Sequence, residues 1–89
     1  MKIKPYNEML LLEPVKENTA LQMTKESEEK PIKGRVVEMG EHAGIFDFQI
    51  GDIVFFRVFM AHEIEYEGKE YYFIHYENIL GKEIPDETD

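Results

Sequence analysis

The chain has 89 residues, with 10 Lys+Arg against 19 Asp+Glu and neither cysteine nor tryptophan. That length builds one small domain, and without cysteine there is no disulfide framework, no thiolate nucleophile and no Cys-based zinc site. A net charge of −9 opposes nucleic-acid backbones and anionic membrane surfaces, and no apolar run is longer than Met9–Leu12, far short of the roughly 20 residues that span a bilayer.

No apolar h-region follows Met1–Lys4, so a soluble, cytoplasmic protein is expected. Met9–Leu12 is a continuous apolar run ended by Glu13-Pro14, which suits a strand buried on both faces. Residues 15–31 are different. Val15, Ala20, Leu21 and Met23 are their only apolar members before Pro31, and Leu21 and Met23, two apart, do not share a helical face. A long flexible loop is the expectation, with a helix as the alternative.

Gly34–Met39 is β-branched at its centre and closes on Gly40. Asp52–Phe56 is the strongest strand signal, with Gly51-Asp52 as the turn ahead of it. Ile64–Tyr66 and Tyr71–Ile74 flank Glu67-Gly68-Lys69-Glu70, which reads as a hairpin with Gly68 at positive φ. Ile79-Leu80 is the last strand, before Gly81 and an acidic tail, 85–89. Short strands at near-regular spacing without an amphipathic helix predict an all-β fold, a small β-barrel.

Little in the chain points to catalysis. His42, His62 and His75 are not paired at metal-ligand spacing and read as surface or partly buried side chains, so no metal is expected. The only serine, Ser27, lies in the long loop, and no glycine pattern cradles phosphate. Phe55, Phe56, Phe59, Tyr66, Tyr71, Tyr72, Phe73 and Tyr76 crowd the second half. A base-stacking platform needs cations beside it, yet residues 59–76 hold only Lys69 against Glu63, Glu65, Glu67 and Glu70. Core and interface packing is the better reading. The island Leu21-Gln22-Met23 is either part of a solvated linker or a recognition segment that folds on a partner.

The order of these pieces carries a resemblance. Ile3-Lys4-Pro5, a strand, a charged loop, Lys33-Gly34-Arg35-Val36-Val37-Glu38-Met39-Gly40, Ile50-Gly51-Asp52-Ile53-Val54-Phe55-Phe56 and Asn78-Ile79-Leu80-Gly81 together resemble a GroES-type co-chaperonin of the chaperonin-10 family. The resemblance covers residues 1–84 as one domain with a mobile loop at 15–31. It implies a non-enzymatic, homo-oligomeric ring, usually of seven subunits, that caps an ATP-bound GroEL-type chaperonin around unfolded client proteins. No cofactor is implied on this chain, because the ATP belongs to the partner.

By position, Ala20, Leu21, Gln22 and Met23 would be the chaperonin-binding segment. Ile3, Lys4 and Pro5 of one subunit would pair with Asn78, Ile79, Leu80 and Gly81 of its neighbour. Gln22 departs from the aliphatic residue usual at the centre of the tripeptide, and Thr19 and Ala20 stand where glycines are usual. The typical member has a roof hairpin between the strands, whereas here Glu41–Phe48 make a short connection. This reduced roof resembles phage-encoded members, for which the host cytoplasm would be the location. Ile45, Phe46 and Phe48 would either pack back on the barrel or line the orifice. The reading from a different class is a small acidic β-barrel module that binds nucleic acid or a translation-type partner.

Overall fold

A computed structural model of the chain describes residues 3–15, 30–43 and 47–84. Six strands form one antiparallel sheet: β1 (Met9–Pro14), β2 (Ile32–Met39), β3 (Ile53–Phe56), β4 (His62–Tyr66), β5 (Lys69–His75) and β6 (Ile79–Lys82). Their order in the sheet is β4-β5-β1-β2-β3-β6. Single 3₁₀ turns at Val58–Met60 and Tyr76–Asn78 join β3 to β4 and β5 to β6.

β1 lies between β5 and β2, and this position explains its continuous apolar run. Leu10 and Leu12 face inward opposite Ile74 and Tyr72, while Leu11 faces the other way opposite Phe73. All three leucines are fully buried. The strand continues to Pro14, which pairs with Gly34, instead of ending at Glu13-Pro14. Proline is accommodated there because it is the last residue of the strand, and the next ladder bond is donated by the Val15 N–H to the Lys33 carbonyl.

The inward face gathers Leu10, Leu12, Val36, Val54, Phe56, Tyr72 and Ile74 into one core, joined by Ala43 from the loop after β2. Gly34 belongs to this core by what it lacks. A Cβ there would lie 2.8 Å from a Phe56 ring carbon and 3.2 Å from a Leu12 methyl. The ring of Phe56 therefore occupies the space that a side chain on β2 would need.

Two register shifts curl the sheet. Leu11 opposes Glu38 but Leu12 opposes Val36, which leaves Val37 as an extra residue. Phe55 opposes Gly81 but Phe56 opposes Ile79, which leaves Leu80 extra. Such bulges bend a strand and increase its twist. The result is a small, partly open barrel, in which the end strands β4 and β6 do not pair with each other.

The β4–β5 hairpin is tighter than its sequence suggests. Tyr66 pairs with Lys69 and Glu65 with Glu70, so the loop is only Glu67-Gly68. Both residues have positive φ, 54° and 81°, where the sequence predicts this only for Gly68. A two-residue loop matches the twist of its strands when both central residues are left-handed.

Candidate functional site

β6 is an edge strand. Its inner neighbour is β3, and among the described residues no strand covers its other side. Ile79 points inward, opposite Phe56 and against the core. The bulged Leu80 is 55% exposed, and beyond the strand Ile84 is 69% exposed. Gly81 has open space where a side chain would begin. Below these residues the strand is well anchored. The Glu83 N–H donates to the Ile53 carbonyl at 2.8 Å, and Lys82 Nζ donates to the Asp47 carbonyl at 2.7 Å while pairing with the Asp52 carboxylate at 3.3 Å.

Among the described residues, the segment before Met9 belongs to no strand. Ile3 is half-buried, Lys4 is exposed and Pro5 is buried. The chain then turns at Tyr6-Asn7, with Asn7 at φ 57° and the Met9 N–H bonded to the Tyr6 carbonyl at 3.0 Å. The Asn7 carbonyl accepts the N–H groups of His42 and Ala43. Gly40 permits this close approach, since a Cβ on it would lie 2.7 Å from the Tyr6 carbonyl carbon. The structure thus seats the Tyr6-Asn7 turn, which follows the predicted N-terminal interface, on the first residues of the predicted roof connection. Sequence reading missed this junction and missed Ala43 as a core residue.

Of the roof residues, Phe48 packs against the core, whereas Ile45 and Phe46 lie outside the described residues, as do Ala20, Leu21, Gln22 and Met23. Among the described residues no strand intervenes between Met39 and Ile53. Asp52 organises the end of this connection by accepting the Gln49 N–H at 2.9 Å, and Gly51 beside it has φ 100°.

The aromatic side chains divide. Phe56, Tyr71 and Tyr72 are buried, and Phe55, Tyr66, Phe73 and Tyr76 are half-buried. Phe59, on the 3₁₀ turn beside Met60, is exposed, so it is an exception to the core reading. At the open end of the hairpin, Glu63 hydrogen-bonds Glu70, which raises its pKa; the Glu70 charge, burial and the Glu65 charge push it the same way. Among the described residues no group of three His, Asp or Glu side chains is placed to hold a metal ion.

His75 has more to do than its sequence context suggests. Its ring bonds Glu8 through Nε2 at 3.0 Å and accepts the Glu77 N–H through Nδ1 at 3.1 Å. The Tyr76 N–H adds a bond to the Glu8 carbonyl at 3.1 Å. The turn before β1 is therefore tied to the turn that leads into β6. No sequence signal marks this, because 67 positions separate Glu8 from His75.

The family model of the chaperonin 10 kDa subunit (Cpn10) matches residues 2–83. The chain belongs to the chaperonin-10 family. Curated relatives agree. It is 33% identical over 86 residues to the co-chaperonin GroES of Kosmotoga olearia and 34% identical over 86 residues to that of Pseudothermotoga lettingae. Each match covers 92% of this chain and 97% of the relative. The co-chaperonin GroES of Thermotoga neapolitana is 34% identical over 88 residues, covering 92% of this chain and 96% of that one.

The six-stranded curled sheet is the small barrel expected for a chaperonin-10 subunit. The family assignment favours the co-chaperonin reading over a nucleic-acid-binding module.

Proposed function

We propose that this chaperonin-10 subunit forms a ring-shaped lid that closes an ATP-bound GroEL-type chaperonin around a folding client. The observation that carries the reading is family membership joined to an open β6 edge with Leu80 and Ile84 exposed beside it. An uncovered edge strand with apolar neighbours invites pairing with another chain, and a closed ring satisfies every such edge at once. The segment Ile3-Lys4-Pro5 supplies the partner, pairing with Asn78–Gly81 of the next subunit in a ring of seven.

Leu21, Gln22 and Met23, between β1 and β2, engage the apical groove of the chaperonin. One such contact is weak, since ordering a segment costs about 1–2 kcal/mol per residue fixed. Several on one rigid ring bind together through effective concentration and release together when the partner changes state. The lid performs no chemistry; ATP is bound and hydrolysed by the cytoplasmic partner. Phe48 packs on the barrel, so the short connection after β2 leaves the dome more open than a projecting hairpin would.

Size-exclusion chromatography with a tetradecameric chaperonin tests this. The ring co-elutes in ATP and elutes alone without nucleotide. Leu21→Ser with Met23→Ser abolishes co-elution while the free ring keeps its mass. Capping by the double variant would overturn the loop assignment, and a monomeric mass for the free chain would overturn the ring.

A further inference from the structure

Both ring nitrogens of His75 are in use. Nδ1 accepts the Glu77 N–H and so caps the 3₁₀ turn Tyr76–Asn78. An accepting Nδ1 leaves the proton on Nε2, which donates to Glu8 Oε1. The same side chain thus holds the turn that follows Ile3-Lys4-Pro5 and the turn that delivers Asn78 to β6.

We propose that His75 is a positioning residue for ring closure, which sets the two interface segments of one subunit in register only while its imidazole is neutral. This rests on the ring reading above. The physical reason is donor count. An imidazolium carries N–H on both nitrogens, so its Nδ1–H would face the Glu77 N–H, and two donors cannot share that contact. The Glu77 carboxylate, 4.0 Å from Nδ1, offers the cation another partner. Protonation then exchanges a bond that orders the backbone for one to an exposed side chain. The fold survives this exchange, and the bonds from Nε2 and from the Tyr76 N–H to Glu8 persist, but the entry to β6 loses its side-chain cap.

The groups facing the imidazole can be named element by element. Glu8 approaches from the turn before β1 and Glu77 from the 3₁₀ turn. The Tyr76 ring stacks on His75 with centroids 4.9 Å apart, and its hydroxyl pKa is raised by burial and by the Glu77 and Glu8 charges. β1 places uncharged Met9 opposite it. On β4, His62 lies opposite Phe73, one step along the same face. His62 is the other imidazole nearby, and the variants at His75 separate the two.

The test follows the subunit–ring equilibrium by native mass spectrometry or sedimentation from about pH 8 to about pH 5. Wild type, His75→Asn and His75→Ala are compared, with the Glu77 amide and the imidazole nitrogens followed by NMR. In the wild type, assembly weakens by about tenfold or more at the acidic end, the scale of losing one turn cap. His75→Asn presents an amide oxygen to Glu77 at every pH, so whatever assembly it retains without the Glu8 contact does not change through the range. His75→Ala assembles weakly throughout while circular dichroism still reports a folded barrel. A shared pH profile for wild type and His75→Asn, or wild-type assembly by His75→Ala, overturns the proposal. If no variant forms a ring at any pH, the ring reading itself fails, and an Nε2–H tautomer with a protected Glu77 amide would show that the local arrangement is nevertheless correct.

Discussion

Phe56 and Tyr72 meet ring to ring, with centroids 5.4 Å apart and planes tilted by 59°, although β2 and β1 separate their strands in the sheet. In a flat sheet three strand spacings would hold β3 and β5 about 14 Å apart, with side chains standing off the surface. The contact therefore measures how far the sheet has curled. Phe56 also covers Gly34 and opposes Ile79, so one side chain joins β2, β3, β5 and β6.

Phe56→Ala should cost about 3–5 kcal/mol in chemical denaturation, the range for deleting a buried aromatic ring. Phe56→Leu should cost about 1–2 kcal/mol, because it refills most of the volume. Equal losses for the two variants would mean that the closing contact is not a packing contact.

Gly40 and Gly81 make opposite predictions for the same change. At Gly40 an added methyl meets the Tyr6 backbone, which cannot swing aside, so Gly40→Ala should lose about 3 kcal/mol or more and disturb the N-terminal turn. At Gly81 it meets open space, and Gly81→Ala should change the melting of the dissociated subunit by no more than about 0.5 kcal/mol.

Glu63 gives a pH signature. Its folded pKa is raised, so the native state holds this proton more tightly than the unfolded chain does. The resulting stabilisation is present below the ordinary carboxylate range and is lost as pH rises through the raised value. Glu63→Gln removes the repulsion from Glu70 and Glu65, so it should melt above wild type near pH 7. The difference should close as the pH is lowered to about 4. A constant difference across this range would remove the assigned cause.

Lys82 ties β6 to the connection after β2, and both Lys82 and Asp52 are less than one quarter exposed. Lys82→Met keeps the stem and removes the donor. It should cost about 1–2 kcal/mol, a charged hydrogen bond discounted for partial solvation. Hydrogen exchange should accelerate at Gln49 and Asp52, whose turn is anchored by this contact, and stay unchanged at Leu11 in the centre of the sheet.

Much of the barrel was legible in the chain. The Met9–Leu12 run marked the strand buried on both faces, Gly68 marked a hairpin, and the near-regular spacing marked an all-β fold. The order of these pieces also carried the family. Local signals misplaced what neighbouring strands decide. Pro14 joined β1 because β2 could pair with it, and Lys69 and Glu70 joined β5 because the hairpin loop shortened to two residues.

Composition, periodicity and turn chemistry are local properties, and by themselves they determined the strand content, the absence of thiol chemistry and the family pattern. The tertiary structure alone decided that Ala43 enters the core, that Phe59 stays outside it, and that Lys82 and His75 each join distant segments. Those outcomes depend on which backbone groups arrive together when the sheet curls. Curling is set by bulges at Val37 and Leu80, and these exist only once two strands have been paired.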